Sequence, residues 1–175
     1  MVLILSDKEN KIDRQIIEIL SRKGAAVITD NKISESFSHF TAISIHNKTK
    51  IECNTGIAIV TDSIKGLKNQ ELPSGIIGVC NEKNLNALSL FKRNKLPTIT
   101  CGRGGKNTLS VSSVTDDGML LCLQRSITDI NGDIIEPCEI KVTLNKQTDL
   151  FSCLAAVTVM LIYGINPSNE DIQVL

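Results

Sequence analysis

Short apolar runs that alternate with amphipathic helices are the feature that most constrains the fold of this chain. Such runs of strand length occur at residues 2–5, 25–29, 75–80 and 98–101, and continuous apolar runs are typical of strands covered on both faces. One helical pattern separates the first pair of runs, and another separates the last pair. The sequence therefore predicts two β-α-β units, the first most simply a parallel pair of strands joined by a right-handed crossover.

The first helix carries start and stop signals. Asn10 is a suitable N-cap, and Asp13 three residues later completes the pattern of a capping box. Ile16 and Ile19 follow at helical spacing, and Gly24 is a good terminator.

The segment between the two units is less regular. Residues 33–40 are compatible with a short helix, whereas 41–46 and 56–61 are predicted strands. Residues 64–74 are irregular, and the helix of the second unit is predicted over residues 82–95.

The pattern changes to antiparallel strands after the second unit. Strands are predicted at residues 109–114, 119–125 and 134–144, and the Asn131-Gly132 pair between the last two is a strong hairpin signal. Pro137 indicates an edge or a bulge in the third strand.

The last long helix is predicted to start at Thr148 or Asp149 and to end near Tyr163. Residues 168–175 are predicted to begin a further helix. The fold class is therefore α/β: a Rossmann-like parallel sheet flanked by helices, with an antiparallel three-stranded meander (109–144) inserted before the last long helix. With 175 residues, we expect a single domain with the meander as a subdomain.

Charge and composition exclude several classes of partner. The 19 basic and 19 acidic residues balance, and aromatic residues make up only 3%. Nucleic acid is therefore not an expected partner. No apolar run approaches the roughly 20 residues that span a bilayer, and the first residues do not have the pattern of a signal peptide. The protein is expected to be cytoplasmic, with no membrane partner.

The cysteines and histidines do not form a recognisable metal or redox motif. The six cysteines lack a C-x-x-C pair, and we interpret them as buried thiols in a reducing compartment. His39 and His46 are interpreted as surface or loop residues. No catalytic residue, metal ligand or cofactor is predicted.

The candidate ligand-binding residues lie after two predicted strands. Asn81 follows the strand at 75–80, and Gly102, Arg103, Gly104 and Lys106 follow the strand at 98–101. A phosphate-binding loop requires G-x-x-x-x-G-K-[ST] before a helix, whereas a strand follows here. The loop is either a nest of main-chain N–H groups that holds a small anion, helped by its two cationic side chains, or a plain turn.

An ordered set of short motifs resembles the Mur ligases, the ATP-dependent amide-forming enzymes of cell-wall synthesis. The motifs are Asn81-Glu-Lys-Asn84, Leu96-Pro-Thr-Ile-Thr-Cys-Gly102, Leu154-Ala-Ala-Val and Tyr163-Gly-Ile-Asn-Pro167. Residues 56–170 are thereby similar to the later part of the central domain of that family. The resemblance implies an open α/β sheet with ligands at the carboxyl ends of its strands.

The departures from the family pattern concern the nucleotide site. The family's Gly-Thr-Asn-Gly-Lys-Thr-Thr loop has no counterpart, and Thr148 and Ser152 stand where the family has His and Asn. The resemblance thus implies a non-catalytic Mur-ligase-like scaffold or binding protein that has lost the ATP site and acts through a protein partner or as a homo-oligomer. The alternative is a small-molecule- or nucleotide-binding enzyme of unknown reaction that uses the loop at 102–106.

Overall fold

The computed structural model of the chain describes residues 1–34, 40–61, 64–115, 118–144, 148–167 and 171–172. The helices in this part of the chain are α1 (Lys11–Arg22), α2 (Leu85–Arg93) and α3 (Leu150–Ile162). The strands are β1 (Val2–Leu5), β2 (Ala26–Thr29), β3 (Lys32–Ser34), β4 (Thr41–Ile45), β5 (Gly56–Val60), β6 (Ile76–Asn81), β7 (Thr98–Gly102), β8 (Leu109–Val114), β9 (Gly118–Leu123), β10 (Ile127–Thr128), β11 (Ile134–Ile135), β12 (Glu139–Leu144) and β13 (Asp171–Ile172). No helix within the described ranges is long and apolar enough to cross a membrane.

One large sheet organises the molecule. Within the described ranges it has 11 strands, in the order β3-β2-β4-β1-β5-β6-β7-β8-β9-β12-β13. The seven strands from β2 to β8 in this order are parallel to one another, and β8, β9 and β12 are antiparallel. The predicted α/β class is confirmed, including the antiparallel segment before the last long helix.

The first β-α-β unit has the predicted elements but a different pairing. Helix α1 begins after the N-cap Asn10 and is followed by Gly24, which has a φ of 89°. Strand β4 lies between β1 and β2, so the predicted parallel pair of β1 and β2 was wrong. The crossover through α1 skips one strand position, which β4 fills, and the buried Ala42 of β4 lies level with the buried Val2 of β1.

The two faces of the sheet bury alternate residues of the central strands. Ile4 of β1 and Ile59 of β5 face a core with α1 and α3, whereas Leu5 and Val60 face a core with α2. Residues 151–162 of α3 are buried on all sides, as expected of a helix that is apolar around its whole circumference. The strands are covered on both faces, which accounts for their continuous apolar runs.

The Asn131-Gly132 turn closes a separate small hairpin and does not connect two strands of the meander. It joins β10 to β11 in a two-stranded sheet, and Gly132 has a φ of 92°. The third meander strand is therefore β12 alone, and Pro137 lies between β11 and β12. The small hairpin is fixed to α3 because the N–H of Ile130 donates to the carbonyl of Ile162 at 2.9 Å.

Three further boundaries differ from the predictions. Residues 32–34 form a strand that pairs antiparallel with β2, and the rest of the predicted short helix lies largely outside the described residues. Helix α2 begins three residues later than expected because Asn84 caps it. Residues 171–172 pair with β12 as a strand, so the prediction of a helix there was wrong.

Candidate functional site

An open cleft lies at the carboxyl edge of the sheet. It has a volume of about 670 Å³, which is within the usual range for small-molecule sites. The residues that line it are Ile12, Thr61, Asn81, Lys83, Asn84, Leu85, Asn86, Asp149, Leu150 and Phe151. These residues come from the first turns of α1, α2 and α3 and from the ends of β5 and β6, so the fold brings distant parts of the chain together here.

The helix N-termini at the cleft are satisfied by side chains of the chain itself. The side chain of Asn84 accepts from the N–H of Ala87 at 3.1 Å. The carboxylate of Asp149 accepts from the N–H of Phe151 at 2.8 Å and from that of Ser152 at 3.2 Å. One main-chain donor at the start of α2 and two at the start of α3 are thus already engaged.

The topological switch point of the sheet lies between β1 and β5. The chain leaves β1 toward β4 and β2, and it leaves β5 toward β6 and β7. Open α/β sheets usually bind ligands at such a point. Ser6 follows β1 and Thr61 follows β5, so their hydroxyl groups lie on either side of the first turn of α1.

A buried carboxylate fills this switch point. Asp13 of α1 has no exposed surface. Its carboxylate accepts from the hydroxyl of Ser6 at 2.6 Å, from the hydroxyl of Thr61, and from the N–H of Asn10 at 3.3 Å. The side chain of Asn10 in turn accepts from the N–H of Asp13 at 3.0 Å. A capping box and two hydroxyl groups therefore hold one negative charge at the start of α1.

The imidazole of His46 extends this network toward the surface. Its Nδ1 lies 3.0 Å from Ser6 Oγ, and its Nε2 lies 3.1 Å from Ser44 Oγ and 3.8 Å from a carboxylate oxygen of Asp30. Ser6 Oγ also lies 3.0 Å from the carbonyl oxygen of Lys8. His46 lies in the loop after β4, as one of the two predicted alternatives, but its side chain is only 7% exposed and is not a surface group. His39 lies outside the described residues.

A second carboxylate stabilises the loop that follows β5. Asp7 accepts from the N–H of Lys65 at 2.9 Å and from that of Gly66 at 3.0 Å. This contact joins the turn between β1 and α1 to the loop after Thr61, and it uses two more main-chain donors near the switch point.

The glycine-rich loop between β7 and β8 packs around a third carboxylate. The side-chain amide of Asn107 donates to Glu82 Oε2 at 2.6 Å and to the carbonyl of Gly104 at 2.8 Å. A Cβ atom on Gly102 would lie 2.6 Å from Glu82 Oε1. The absence of a side chain at Gly102 is therefore what lets the Glu82 carboxylate approach the loop.

The predicted ligand-binding residues lie in two adjoining places. Asn81 lines the cleft, and its side chain accepts from the N–H of Lys83 at 2.9 Å. Asn81 pairs with Cys101 across β6 and β7, next to Gly102. Arg103 and Lys106 are exposed, and Gly104 is half-buried. None of the four loop residues is among those that line the cleft.

The described residues provide no evident metal or thiolate chemistry. They contain no group of three or more His, Cys, Asp or Glu side chains that could hold a metal ion. Burial raises the pKa of Cys80, Cys101 and Cys153 to about 12. These thiols are protonated at neutral pH and are poor nucleophiles.

Comparisons with known proteins identify the fold. No protein-family model matches the sequence, and no curated protein has significant sequence similarity to it. The structure is similar to that of MurF from Acinetobacter baumannii, with a TM-score of 0.54 and 10% identity over 98% of this chain. The chain has a Mur-ligase-like fold.

A second Mur ligase shows the same similarity. UDP-N-acetylmuramate:L-alanyl-gamma-D-glutamyl-meso-diaminopimelate ligase from Neisseria meningitides matches 96% of this chain, with a TM-score of 0.56 and 12% identity. The Mur-ligase-like chain spans 43% of the length of MurF and 62% of the Neisseria ligase. The similarity includes residues 1–55, which the sequence motifs did not cover, and at these identities it concerns the fold alone.

Proposed function

We propose that this chain is a non-catalytic Mur-ligase-like binding protein that has lost the ATP site. The observation that carries the proposal is the position of Asp13, whose buried carboxylate fills the start of α1 at the switch point of the sheet. The first strand-to-helix turn of such a sheet is where a phosphate-binding loop would lie.

Two physical effects oppose phosphate binding at this turn. The hydroxyl groups of Ser6 and Thr61 and the N–H of Asn10 already donate to Asp13, so a phosphate would have to displace the carboxylate. A phosphate oxygen about 4 Å from that carboxylate would also be repelled by roughly 4 kcal/mol per unit charge at an effective dielectric constant of about 20.

The neighbouring carboxylates support the same conclusion. Asp7 occupies the main-chain donors of Lys65 and Gly66, and Glu82 lies against the glycine-rich loop. Phosphoryl transfer needs a phosphate cradle, a positioned lysine and Mg²⁺. The turn between β1 and α1 instead presents acidic side chains that bind the chain's own donors.

The proposed role is binding through the cleft or assembly with a protein partner or a second copy. The cleft retains uncharged polar groups on Asn81 and Asn86 beside the exposed Leu85. We further propose a cytoplasmic location, because the six cysteines are free and disulfides are rare in reducing compartments.

A second candidate function is an enzyme that binds a small anion at the glycine-rich loop. The exposed side chains of Arg103 and Lys106 beside Gly102 and Gly104 favour it, together with the position of Asn81 on the adjoining strand. Replacing Arg103 and Lys106 by Ala should then abolish anion binding without changing the free energy of unfolding. Unchanged affinity would eliminate this candidate.

A thermal-shift panel with ATP–Mg²⁺, ADP, UDP and UDP-sugars tests the leading proposal. A ligand at 100 times its Kd stabilises the folded state by about 2.7 kcal/mol, which raises Tm by roughly 5 °C for a domain of this size. We expect no shift with ATP–Mg²⁺ and no ADP release in a ligase assay. A shift with ATP–Mg²⁺ together with ADP release would reject the proposal.

A further inference from the structure

The charges of this chain balance overall but are unevenly distributed over its surface. Three segments, 48–52, 68–72 and 92–95, carry six cationic and two acidic side chains, and all eight are exposed. Six cations less two carboxylates leave a net charge of +4 here. Since the 19 basic and 19 acidic residues of the whole chain balance, the remainder carries −4. The three segments are here called the basic face.

Hydrogen bonds tie the segments of the basic face to one another. Arg93 Nη2 donates to the carbonyl of Gln70 at 3.1 Å, and Gln70 Oε1 accepts from the N–H of Thr49 at 3.1 Å. Asn94 Oδ1 accepts from the N–H of Leu72 at 3.0 Å. Gln70 is only 1% exposed, so it forms a buried link between the segments. The fold therefore brings together cations that are distant in the sequence.

The chain itself neutralises few of these cations. Lys50 forms an ion pair with Glu52 at 2.5 Å. The other five cations form no ion pair with a carboxylate in the described part of the chain. Arg93 instead donates to neutral oxygens of residues 68–70. The basic face thus keeps an excess of positive charge that is available to a partner.

Lys95 has a backbone conformation that favours glycine. It follows the end of α2 with a φ of 56°, whereas Gly24 and Gly164, with φ of 89° and 69°, occupy the same position after α1 and α3. A Cβ atom is disfavoured in this region. Lys92 and Arg93 already provide cations in the last turn of α2, so the helix dipole does not require a third. A lysine at this position therefore indicates a use for its charge.

The shape and composition of the basic face favour a polypeptide over a membrane or a nucleic acid. A cavity of about 630 Å³, lined by residues 48–52 and 70–73, makes part of the face concave. The large hydrophobic side chains that are exposed in the described ranges lie outside the face, so none can insert into a lipid surface. The phenylalanines of the described residues are buried and Tyr163 is half-buried, so no exposed ring is available for base stacking.

We propose that the basic face binds an acidic segment of a partner protein. The carboxylates of the segment pair with the unpaired cations, and an apolar side chain enters the cavity, to whose lining Leu72 and Pro73 contribute. The face lies at the end of α2, whereas the carboxyl-edge cleft is lined by residues at its start. The proposal rests on the proposed function only in naming the protein partner that this function leaves open.

The test uses the blocked peptide acetyl-Asp-Glu-Leu-Asp-Glu-Glu-amide as the probe, and binding is followed by the ¹⁵N–¹H amide signals of the full chain. We expect the signals of residues 48–52, 68–72 and 92–95 to shift at low salt, with a Kd on the order of 1 mM. Raising the salt concentration from about 20 to about 200 mM should weaken binding at least about tenfold, because salt screens exposed charges. The uncharged analogue acetyl-Asn-Gln-Leu-Asn-Gln-Gln-amide should not bind.

Charge-reversed variants provide the controls. The double variant with Lys68→Glu and Lys95→Glu should bind the acidic peptide at least about tenfold more weakly. The double variant with Lys11→Glu and Lys141→Glu changes the net charge equally at exposed positions outside the face, and it should bind like the unaltered chain. Lys95→Gly should raise Tm by about 2 °C, since glycine suits this φ, and yet weaken peptide binding. The amide spectrum of each variant reports whether it is folded.

Three outcomes would overturn the proposal. The first is that the signals of the basic face do not respond to the acidic peptide. The second is that both charge-reversed variants lose binding equally, since net charge and not the face would then decide the affinity. The third is that a short DNA duplex or phosphatidylserine vesicles bind more tightly than the peptide, which would assign the face to another class of partner. The test contains no nucleotide, so its failure leaves the account of the ATP site unchanged.

Discussion

The hydroxyl of Ser6 donates a 2.6 Å hydrogen bond to the carboxylate of Asp13, and this contact joins the end of β1 to the first turn of α1. Both residues are fully buried. A buried carboxylate is stable only when several donors compensate the loss of water. The donors that meet here come from the turn between β1 and α1 and from the residue after β5, so the charge stabilises the arrangement of these two segments and depends on it.

The first prediction concerns the removal of this carboxylate. Asp13→Ala leaves the hydroxyl groups of Ser6 and Thr61 without their acceptor and should lower the free energy of unfolding by about 3 kcal/mol. Asp13→Asn should cost less, because it retains one acceptor. Urea denaturation measures both, and Arg14→Ala on the exposed side of α1 is the control, with an expected change below about 0.5 kcal/mol. Added formate should partly restore the stability of Asp13→Ala; a loss below about 1 kcal/mol would contradict the network.

The second prediction concerns the contact between β6 and α2. A Cβ atom on Gly78 would lie 2.6 Å from the ring of the fully buried Phe91. Gly78→Ala should therefore destabilise the protein by about 1–3 kcal/mol through overpacking. The double variant with Gly78→Ala and Phe91→Leu should recover part of this loss, because the smaller side chain leaves room for the added Cβ atom. The matched control is Gly105→Ala, where a Cβ atom meets nothing within 4 Å. Equal stability of the two Gly→Ala variants in a thermal melt would show that the packing is not as described.

The third prediction concerns the reaction of the cysteines with a thiol reagent. Cys138 is exposed, whereas Cys80, Cys101 and Cys153 are buried. In the folded protein at pH 8, a disulfide reagent should modify Cys138 first and leave the three buried thiols unmodified until denaturant is added. Mass spectrometry of peptides after a timed reaction identifies the modified residues. Early modification of Cys153 would contradict its position in the core.

The fourth prediction concerns stability at alkaline pH. Burial raises the pKa of Cys80, Cys101 and Cys153 from the usual value of 9.0 to about 12. Between these values the unfolded chain loses thiol protons that the folded chain keeps. The stabilisation is therefore complete below pH 9 and is lost as the pH rises toward 12, by roughly 1.4 kcal/mol per pH unit for each thiol. Cys101→Ala should reduce the slope of stability against pH, and an unchanged slope would count against the burial of this thiol.

Local signals in the sequence predicted most elements of the fold, but not which strands pair. The Asn10–Asp13 capping box and Gly24 defined α1 because these interactions involve residues close in the chain. The insertion of β4 between β1 and β2 depends on contacts between distant residues, which periodicity does not report. The small hairpin at Asn131-Gly132 was misplaced for the same reason, since its turn signal is local and its partner strand is not.

The candidate site was harder to predict from the sequence than the fold was. Asp13 was recognised as a capping residue, but its burial against Ser6 and Thr61 requires the ends of β1 and β5 to lie side by side. An acidic residue between Ile12 and Ile16 of an amphipathic helix is the one signal that could have indicated it. The approach of Glu82 to Gly102 had no signal in the sequence, because it depends on the pairing of β6 with β7.

The most direct test of the central claim is a titration of the ¹⁵N-labelled chain with ATP–Mg²⁺, followed at the amides of residues 6–13 and 61. We expect no saturable shift of these signals, because the carboxylate of Asp13 already occupies the donors of Ser6, Asn10 and Thr61. The absence of saturation at ATP–Mg²⁺ concentrations up to about 10 mM corresponds to a binding free energy weaker than about 3 kcal/mol. Saturable shifts centred on residues 7–11 would mean that the phosphate groups bind at the start of α1, and the account of a lost ATP site would then be wrong.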